Sequence, residues 1–331
     1  MKIDMKRHTL LAVAVALIAS AATSCMKYQK PNSDTATSGT MTMVCDNSFQ
    51  NIMEQEIEVF EFQYPEAHIL ARYAPEKVAV DSLMKLNTKT IVIPRDLTKD
   101  EVKSLRNKRL ITKSKKIAVD AVALIVNPDN PVSILSVSEI GDILTGKLTD
   151  WNQIEPSKLG DIKVVFDSNF SSTVQYMRDS LMNGQPFGPN VFAQDSIQGV
   201  FDAVRKTKSA IGVVGVTWLN TDLDATEMPI ADNVKQLESD DPTQVKEFDS
   251  EIKVLKVRRD DDFHAYQPYQ QYIYDGSYPL FRQIYMITVG ANGGLNHGFY
   301  TFVTGKIGQK IILRTGICPA VISPQVVSLE R

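Results

Sequence analysis

The chain has 331 residues, with 36 Lys and Arg against 39 Asp and Glu, and 43% of its residues are apolar. This length predicts about two domains, and the composition excludes a disordered, collagenous or coiled-coil protein. A net charge of −3 without a long basic run argues against a nucleic-acid-binding protein. No CxxC or HExxH spacing is present, so neither a metal site nor a cofactor is expected.

The N-terminus has the pattern of a bacterial export signal. Three basic residues within the first seven positions precede nine apolar residues, 10–18, and small residues then lead to Cys25. Nine residues are too few for a transmembrane helix, which needs about 20. We therefore predict that residues 1–24 are a signal peptide and that the chain is exported.

Cys25 follows small residues in the way that the lipidated cysteine of bacterial lipoproteins does. This resemblance implies a lipid anchor on Cys25. Ordinary cleavage after Ala22 is the alternative, because lipoproteins usually have Leu at the position of Ala22. Residues 25–40 are polar and rich in Ser and Thr, which predicts a flexible tether. We expect a membrane-anchored protein that faces the periplasm or the cell surface.

Strand and helix patterns alternate along the rest of the chain. Apolar or β-branched runs predict strands at 41–45, 90–93, 117–126, 162–166, 210–216, 251–257 and 285–289. Helices are predicted after residue 48, after the capping box that begins at Thr98, at 138–145, around 174–181 and over 299–313. The alternation predicts an α/β fold with a mainly parallel sheet. The acidic segment 221–250 is predicted to be a surface excursion.

Two predicted strand-to-helix loops carry groups that bind anions. In the first loop, Asn47, Ser48 and Phe49 begin a helix, whose free N–H groups and positive dipole end suit an anion. The alternative for this loop is an ordinary helix cap.

The second loop begins with Asp167 and continues to three hydroxyl side chains that could together bind an oxyanion, those of Ser171, Ser172 and Thr173. Capping by Ser168 or Ser171 is again the alternative.

One arginine is a candidate for the cationic contact of such a site. Arg95 follows a predicted strand, and its guanidinium could bind an oxyanion through two hydrogen bonds. An exposed ion pair of Arg95 with Asp96 or Asp100 is the alternative.

Catalysis finds no support in the sequence. A GxSxG motif is absent, and the histidines lie in unrelated contexts, so no catalytic residue is predicted and the chain is not expected to be an enzyme. Cys45 and Cys318 either form a disulfide, which export permits, or remain two buried thiols.

Several blocks of residues occur in the order known from one protein family. The blocks are 120–132 (DAVALIVNPDNPV), 139–140, 144–151 (LTGKLTDW), 210–214 (AIGVV), 278–285 (YPLFRQIY), 308–309 and 316–320 (GICPA). From about residue 41 to residue 320, the chain resembles the phosphate-binding proteins of bacterial phosphate ABC importers. The resemblance implies a periplasmic-binding-protein-like fold of two α/β lobes with a ligand cleft between them.

The same resemblance implies a division of the chain and a function. Lobe one would comprise residues 41–117 and 282–331, and lobe two residues 118–281, with hinges near 117–120 and 278–282. The implied function is that of a monomeric lipoprotein that captures an oxyanion, phosphate above all, and passes it to an ABC permease. A surface or periplasmic lipoprotein that uses this scaffold for another ligand or a protein partner is the alternative.

One motif of the family is altered here. The family's RSxGSGT loop corresponds to residues 167–173, where the arginine is absent, so the family's cationic contact is missing unless Arg95 replaces it. If Asp46 and Asp167 both face the cleft, they repel sulfate but accept the proton of a protonated phosphate. We therefore expect phosphate to be preferred over sulfate.

Overall fold

A computed structural model describes residues 34–169, 171–219, 229–239, 250–290 and 293–321. The contacts within Thr35–Arg331 make it one compact unit. The predicted signal peptide, Cys25 and residues 25–33 of the predicted tether lie outside the described residues. Within the described ranges, no helix is both long and apolar enough to cross a membrane.

The first part of the chain alternates strands and helices. Its elements are β1 (Gly39–Asp46), α1 (Gln50–Gln63), β2 (Ala67–Ala74), α2 (Glu76–Met84), β3 (Thr90–Ile93), α3 (Lys99–Asn107) and the long strand β4 (Thr112–Val126).

The middle part repeats this alternation. Its elements are β5 (Ile134–Ser136), α4 (Val137–Thr145), β6 (Lys163–Phe166), α5 (Ser172–Leu181), β7 (Val191–Ala193), α6 (Ile197–Lys206), β8 (Ala210–Gly215) and α7 (Ile230–Glu238).

Short elements then lead to the return strand. They are β9 (Lys253–Val254), β10 (Lys256–Arg258), β11 (Ala265–Tyr266) and α8 (Gln270–Tyr274), followed by β12 (Phe281–Val289), α9 (Gly294–Val303), α10 (Lys306–Arg314) and β13 (Cys318–Pro319).

Among the described residues, ten strands form one sheet, with the order β2-β1-β3-β12-β4-β8-β6-β7 and with β9 and β13 on β4. The outer groups, β2-β1-β3 and β8-β6-β7, are parallel, as predicted. The centre differs from the prediction, because β12 runs antiparallel to both β3 and β4. β4 runs from lobe one into lobe two, and β12 runs back from lobe two into lobe one. The two paired strands are therefore antiparallel.

β4 belongs to both halves of this sheet. Its residues 112–121 pair with β12, and its residues 122–126 pair with β8. We call the half with β1, β2, β3 and β12 lobe one, and the half with β6, β7 and β8 lobe two. The predicted boundary between residues 117 and 118 falls inside this continuous strand, so the lobes share a backbone element as well as a sheet.

The sheet of lobe two packs closely against α6 at a glycine. A Cβ atom on Gly212 would lie 2.8 Å from side-chain atoms of Ile125 and Val200, and 2.9 Å from Val204. This position therefore accommodates no side chain without displacing its neighbours. The apolar block at 210–214 builds the core of lobe two.

Two predictions of local structure differ from the observed elements. The helix predicted over 299–313 is broken into α9 and α10 at Gly305. Within the predicted excursion 221–250, α7 buries Val234 and Leu237 in a cluster with Val59 of α1 and Ile311 of α10. The described part of this segment thus packs on lobe one.

The two cysteines of the described chain are buried free thiols. Burial raises the pKa of Cys45 well above its usual value, and burial raises the pKa of Cys318 to about 12. The second alternative from the sequence, two buried thiols, describes this structure.

Candidate oxyanion-binding site

The first predicted loop follows β1 and forms a short 3₁₀ turn, Asn47–Phe49, before α1. Asp46 caps this turn, because its Oδ1 atom accepts a hydrogen bond of 3.0 Å from the N–H of Ser48. Ser48 and Phe49 are buried, and Asn47 is half-buried. The capping alternative therefore applies to Asp46, whereas the hydroxyl of Ser48 is directed to another partner.

The second predicted loop follows β6 and leads into α5. Ser171 caps α5, since its Oγ atom accepts a hydrogen bond of 3.3 Å from the N–H of Val174. Ser172 and Thr173 form the first turn of the helix. All three hydroxyl-bearing residues are at most 3% exposed. Capping therefore occupies one of the predicted hydroxyls, and two remain for other contacts.

Hydroxyl groups from the two lobes meet directly. Ser172 Oγ donates to Asp46 Oδ1 at 2.7 Å and lies 2.9 Å from Ser48 Oγ. A hydroxyl has one hydrogen atom, and that of Ser172 is given to Asp46. Ser48 is therefore the donor in its bond to Ser172. The structure thus brings the two predicted loops together at one point.

The cation at this point is Arg282 of β12, which the sequence analysis did not select. Its Nη1 atom lies 2.9 Å from Ser172 Oγ and 3.4 Å from Thr173 Oγ1. On its other side, Nε and Nη2 lie 3.0 and 2.9 Å from Asp120 Oδ2. The guanidinium also lies over the ring of Phe49, 4.9 Å from its centroid. Arg282 thereby connects both loops to β4.

A nearby glycine lies against this pair. A Cβ atom on Gly215 would lie 3.4 Å from Arg282 Nη2 and 3.5 Å from Asp120 Oδ2. The end of β8 therefore packs its backbone against the ion pair.

A second hydrogen bond connects the lobes a few residues further along both segments. Asn51 Nδ2 of α1 donates to the carbonyl oxygen of Thr217, which follows β8, at 2.8 Å.

The carboxyl groups outnumber the cation. Asp46 and Asp120 are buried and Asp167 is half-buried, and the guanidinium of Arg282 contacts Asp120. Asp46 Oδ2 and Asp167 Oδ1 are buried without a hydrogen-bond donor in the described part of the chain. Such oxygen atoms are costly in the interior unless a donor reaches them.

Burial raises the pKa of the Asp167 carboxyl above its usual value, although a hydrogen bond from Ser171 and the charge of Arg282 act in the opposite direction. Burial likewise raises the pKa of Asp120, against the charge of Arg282. The cluster therefore attracts hydrogen-bond donors as well as oxyanions. A ligand with both an anionic oxygen and an acidic hydrogen can satisfy both requirements.

Arg95, the predicted replacement for the missing arginine, has other partners. Its Nε atom lies 2.6 Å from Glu76 Oε1, and its Nη1 atom lies 2.9 Å from Glu101 Oε2. The alternative of an ion pair was thus right in kind, with Glu76 and Glu101 in place of Asp96 and Asp100. The guanidinium that the structure joins to Ser172 is that of Arg282.

Comparison with known proteins identifies the family. A family model described as a PBP superfamily domain matches residues 30–306. The phosphate-binding protein PstS 2 of Streptococcus pneumoniae is 30% identical over 118 residues, which are 36% of this chain and 38% of that protein. The phosphate-binding protein PstS of Pseudomonas aeruginosa is 20% identical over 309 residues, which are 88% of this chain and 86% of that protein.

Two solved structures share the fold. A protein from Clostridium perfringens, determined with bound phosphate, has 20% sequence identity and a TM-score of 0.65, and the match covers 85% of this chain and all of that one. An ABC-type phosphate transport receptor from Vibrio cholerae has 19% identity and a TM-score of 0.62 at the same coverage. The predicted two-lobed α/β class is confirmed, and the chain belongs to the PBP superfamily domain family.

Proposed function

We propose that the chain captures phosphate as the solute-binding component of an ABC importer. The observation that carries the proposal is the buried guanidinium of Arg282, in contact with the hydroxyl of Ser172, which in turn contacts Ser48 of the other lobe. A buried cation beside hydroxyl donors and two helix starts is the chemistry that binds a small oxyanion. The names of the PstS relatives support phosphate as that anion.

Binding would replace bonds that the protein now makes with itself. An oxyanion between the lobes would take hydrogen bonds from Ser48 Oγ, Ser172 Oγ, Thr173 Oγ1 and Arg282 Nη1. The bonds of Ser172 to Asp46 and Ser48 would then be exchanged for bonds to the ligand. Because both lobes supply donors, the ligand favours the arrangement in which the lobes approach each other.

The carboxyl groups would select the protonation state of the ligand. Asp46 Oδ2 and Asp167 Oδ1 need a donor, which a hydrogenphosphate ion supplies and a sulfate ion at neutral pH does not. We therefore expect phosphate to bind more tightly than sulfate. Equal affinity of the two anions would refute this role of the aspartates.

The setting of this function follows from the sequence. Lipidation of Cys25 after cleavage of residues 1–24 would hold the chain at a membrane outside the cytoplasm, where it would pass phosphate to a permease as a monomer. Rotation of lobe one (41–117 and 282–331) against lobe two (118–281) would open and close the cleft. No chemical step is assigned to the chain.

Titration calorimetry with inorganic phosphate on residues 26–331 tests the proposal. Ser172→Ala removes a donor to a charged ligand, which contributes about 1.5–3 kcal/mol, so the Kd should rise about 10- to 150-fold. Ser133→Ala is the matched control, because Ser133 is exposed and should leave the Kd unchanged.

A wild-type chain that releases no heat with phosphate and shows no thermal shift would refute the proposal. That result would favour the alternative of another ligand or a protein partner. Arg95→Gln provides the comparison between the two candidate cations. Loss of phosphate binding in that variant would show that Arg95 leaves its glutamates and reaches the ligand.

A further inference from the structure

One edge of lobe one gathers the starts of its strands. β1 and β3 are parallel, and β12 is antiparallel to both β3 and β4. The starts of β1, β3 and β4 therefore lie at the same edge, and the candidate site lies at the other end of β1. The loop before β3 and the loop before β4 both belong to this edge.

These two loops are strongly basic. The loop 85–89 before β3 and the loop 108–111 before β4 contain four Lys or Arg and no Asp or Glu, although the whole chain has a net charge of −3. At the edge itself, Lys85, Lys89 and Arg109 are exposed. Among the described residues, no carboxylate oxygen lies within 4.0 Å of the cationic nitrogen atoms of these three residues. We call Lys85, Lys89 and Arg109 the basic edge.

Other residues complete the same surface. Lys108 is tied to the end of α2, since its ammonium group donates to the carbonyl oxygen of Met84. Lys113 lies 3.2 Å from His297 Nδ1. Asp81 lies four residues before Lys85, and its carbonyl oxygen accepts from the N–H of Lys85; Glu66 precedes β2, and its carbonyl oxygen accepts from the N–H of Gly39. These two carboxylates are fewer than the cations of this edge.

Apolar side chains stand exposed among these cations. Leu86 is 45% exposed and lies between Lys85 and Lys89 in sequence, and Ile111 is 66% exposed and follows Arg109 by two residues. Basic residues that surround exposed aliphatic side chains are typical of surfaces that lie on anionic lipid. An acidic protein partner would require the basic residues but not the exposed aliphatic side chains among them.

The chain itself enters lobe one at this edge. β1 begins at Gly39, after a turn in which the N–H of Thr35 donates to the carbonyl oxygen of Ser38. If the predicted tether is flexible, the roughly ten residues from Cys25 to Thr35 would have a root-mean-square span of about 17 Å. An anchor at Cys25 would therefore keep the basic edge within a short distance of the membrane, where electrostatic attraction acts over a Debye length of about 8 Å.

We infer that the basic edge rests on an anionic membrane surface by binding lipid phosphate groups. The proposed anchor at Cys25 brings the edge to the membrane, but recognition of lipid belongs to the folded chain. Phosphate capture and lipid binding are therefore measured separately. Loss of one leaves the other intact.

Sedimentation with lipid vesicles tests the inference on unlipidated residues 26–331. The vesicles contain either phosphatidylglycerol with phosphatidylethanolamine, which is anionic, or phosphatidylcholine alone. The test variant neutralises the basic edge: Lys85→Gln, Lys89→Gln and Arg109→Gln. The control variant neutralises three exposed lysines of lobe two: Lys158→Gln, Lys206→Gln and Lys256→Gln.

We expect binding to the anionic vesicles that weakens as salt is added. Each basic residue near such a surface contributes about a five-fold factor, so the test variant should bind about 100-fold more weakly, and the control variant like the wild type. Equal losses in both variants would overturn the inference, because binding would then reflect net charge. No binding of the wild type at low salt would overturn it as well. Calorimetry with phosphate on the test variant should show an unchanged Kd.

Discussion

Substitutions in the ion pair of Arg282 and Asp120 can test whether it stabilises the fold and whether Arg282 binds the anion. Both side chains are nearly inaccessible, with exposed fractions of 2% and 0%, and their closest atoms lie 2.9 Å apart. Arg282→Met leaves the carboxylate of Asp120 buried without its cation. Removing one partner of a buried pair typically lowers the free energy of unfolding by about 3–5 kcal/mol.

A second substitution separates stability from binding. In Arg282→Met with Asp120→Asn, residue 120 no longer places a buried carboxylate without its cation, so urea unfolding should recover a large part of the lost free energy. Phosphate binding should not recover, because the charge-assisted hydrogen bond from Arg282 is still missing. We expect the Kd of the double variant to exceed that of the wild type by about 10-fold or more.

Two results would refute this reasoning. If the double variant binds phosphate with the wild-type Kd, Arg282 serves the fold alone and does not hold the anion. If the double variant is as unstable as Arg282→Met, the loss of stability does not come from the unpaired carboxylate of Asp120. Calorimetry and urea unfolding on the same preparations distinguish the two results.

Two further predictions concern buried titratable groups. Burial raises the pKa of Glu56 well above its usual value, and both its oxygens are buried without a donor in the described residues. The folded chain then keeps a proton that the unfolded chain releases above pH about 4.3, so stability should fall as the pH rises from there towards the folded pKa, by up to about 1.4 kcal/mol per unit. Urea unfolding should show a smaller slope for Glu56→Gln, and the wild-type slope for Glu58→Gln, which is exposed on the same helix. In residues 26–331, Cys45 and Cys318 should react with a thiol reagent after unfolding, because the folded chain buries both. Fast reaction in the native protein, or fewer than two thiols after unfolding, would contradict the structure.

Most strands and helices could be predicted from the sequence, because the patterns that indicate them involve only neighbouring residues. Apolar runs mark the strands, and the capping box at Thr98 marks the start of α3, where both of its hydrogen bonds are observed. The antiparallel centre was not accessible, because β12 meets β4 across some 160 residues of chain. The break between α9 and α10 was missed because the apolar spacing continues across Gly305.

The candidate site was accessible in part. Both strand-to-helix loops were found from their Asp and Ser residues, and the structure brings them together. The sequence analysis proposed Arg95 as the cation and did not select Arg282. The contacts of Arg95 with Glu76 and Glu101 depend on the packing of α2 and α3, which the sequence alone does not give. The sequence did contain a pattern that could have pointed to Arg282. Arg282 and Asp120 are oppositely charged residues, and each lies at the start of an apolar run that is typical of a buried strand.

The position of the ion pair connects the site to the proposed hinges. Asp120 lies in the predicted hinge 117–120, and Arg282 lies in the predicted hinge 278–282, where the two strands are paired with each other. Tyr278 connects the second predicted hinge to β4, because its hydroxyl donates a hydrogen bond of 2.7 Å to the carbonyl oxygen of Val122. The group proposed to hold the anion therefore lies on the strands that are proposed to carry rotation between the lobes. An oxyanion bound to Arg282 would change the contacts of the proposed hinge itself, which would give the ligand a direct influence on the angle between the lobes.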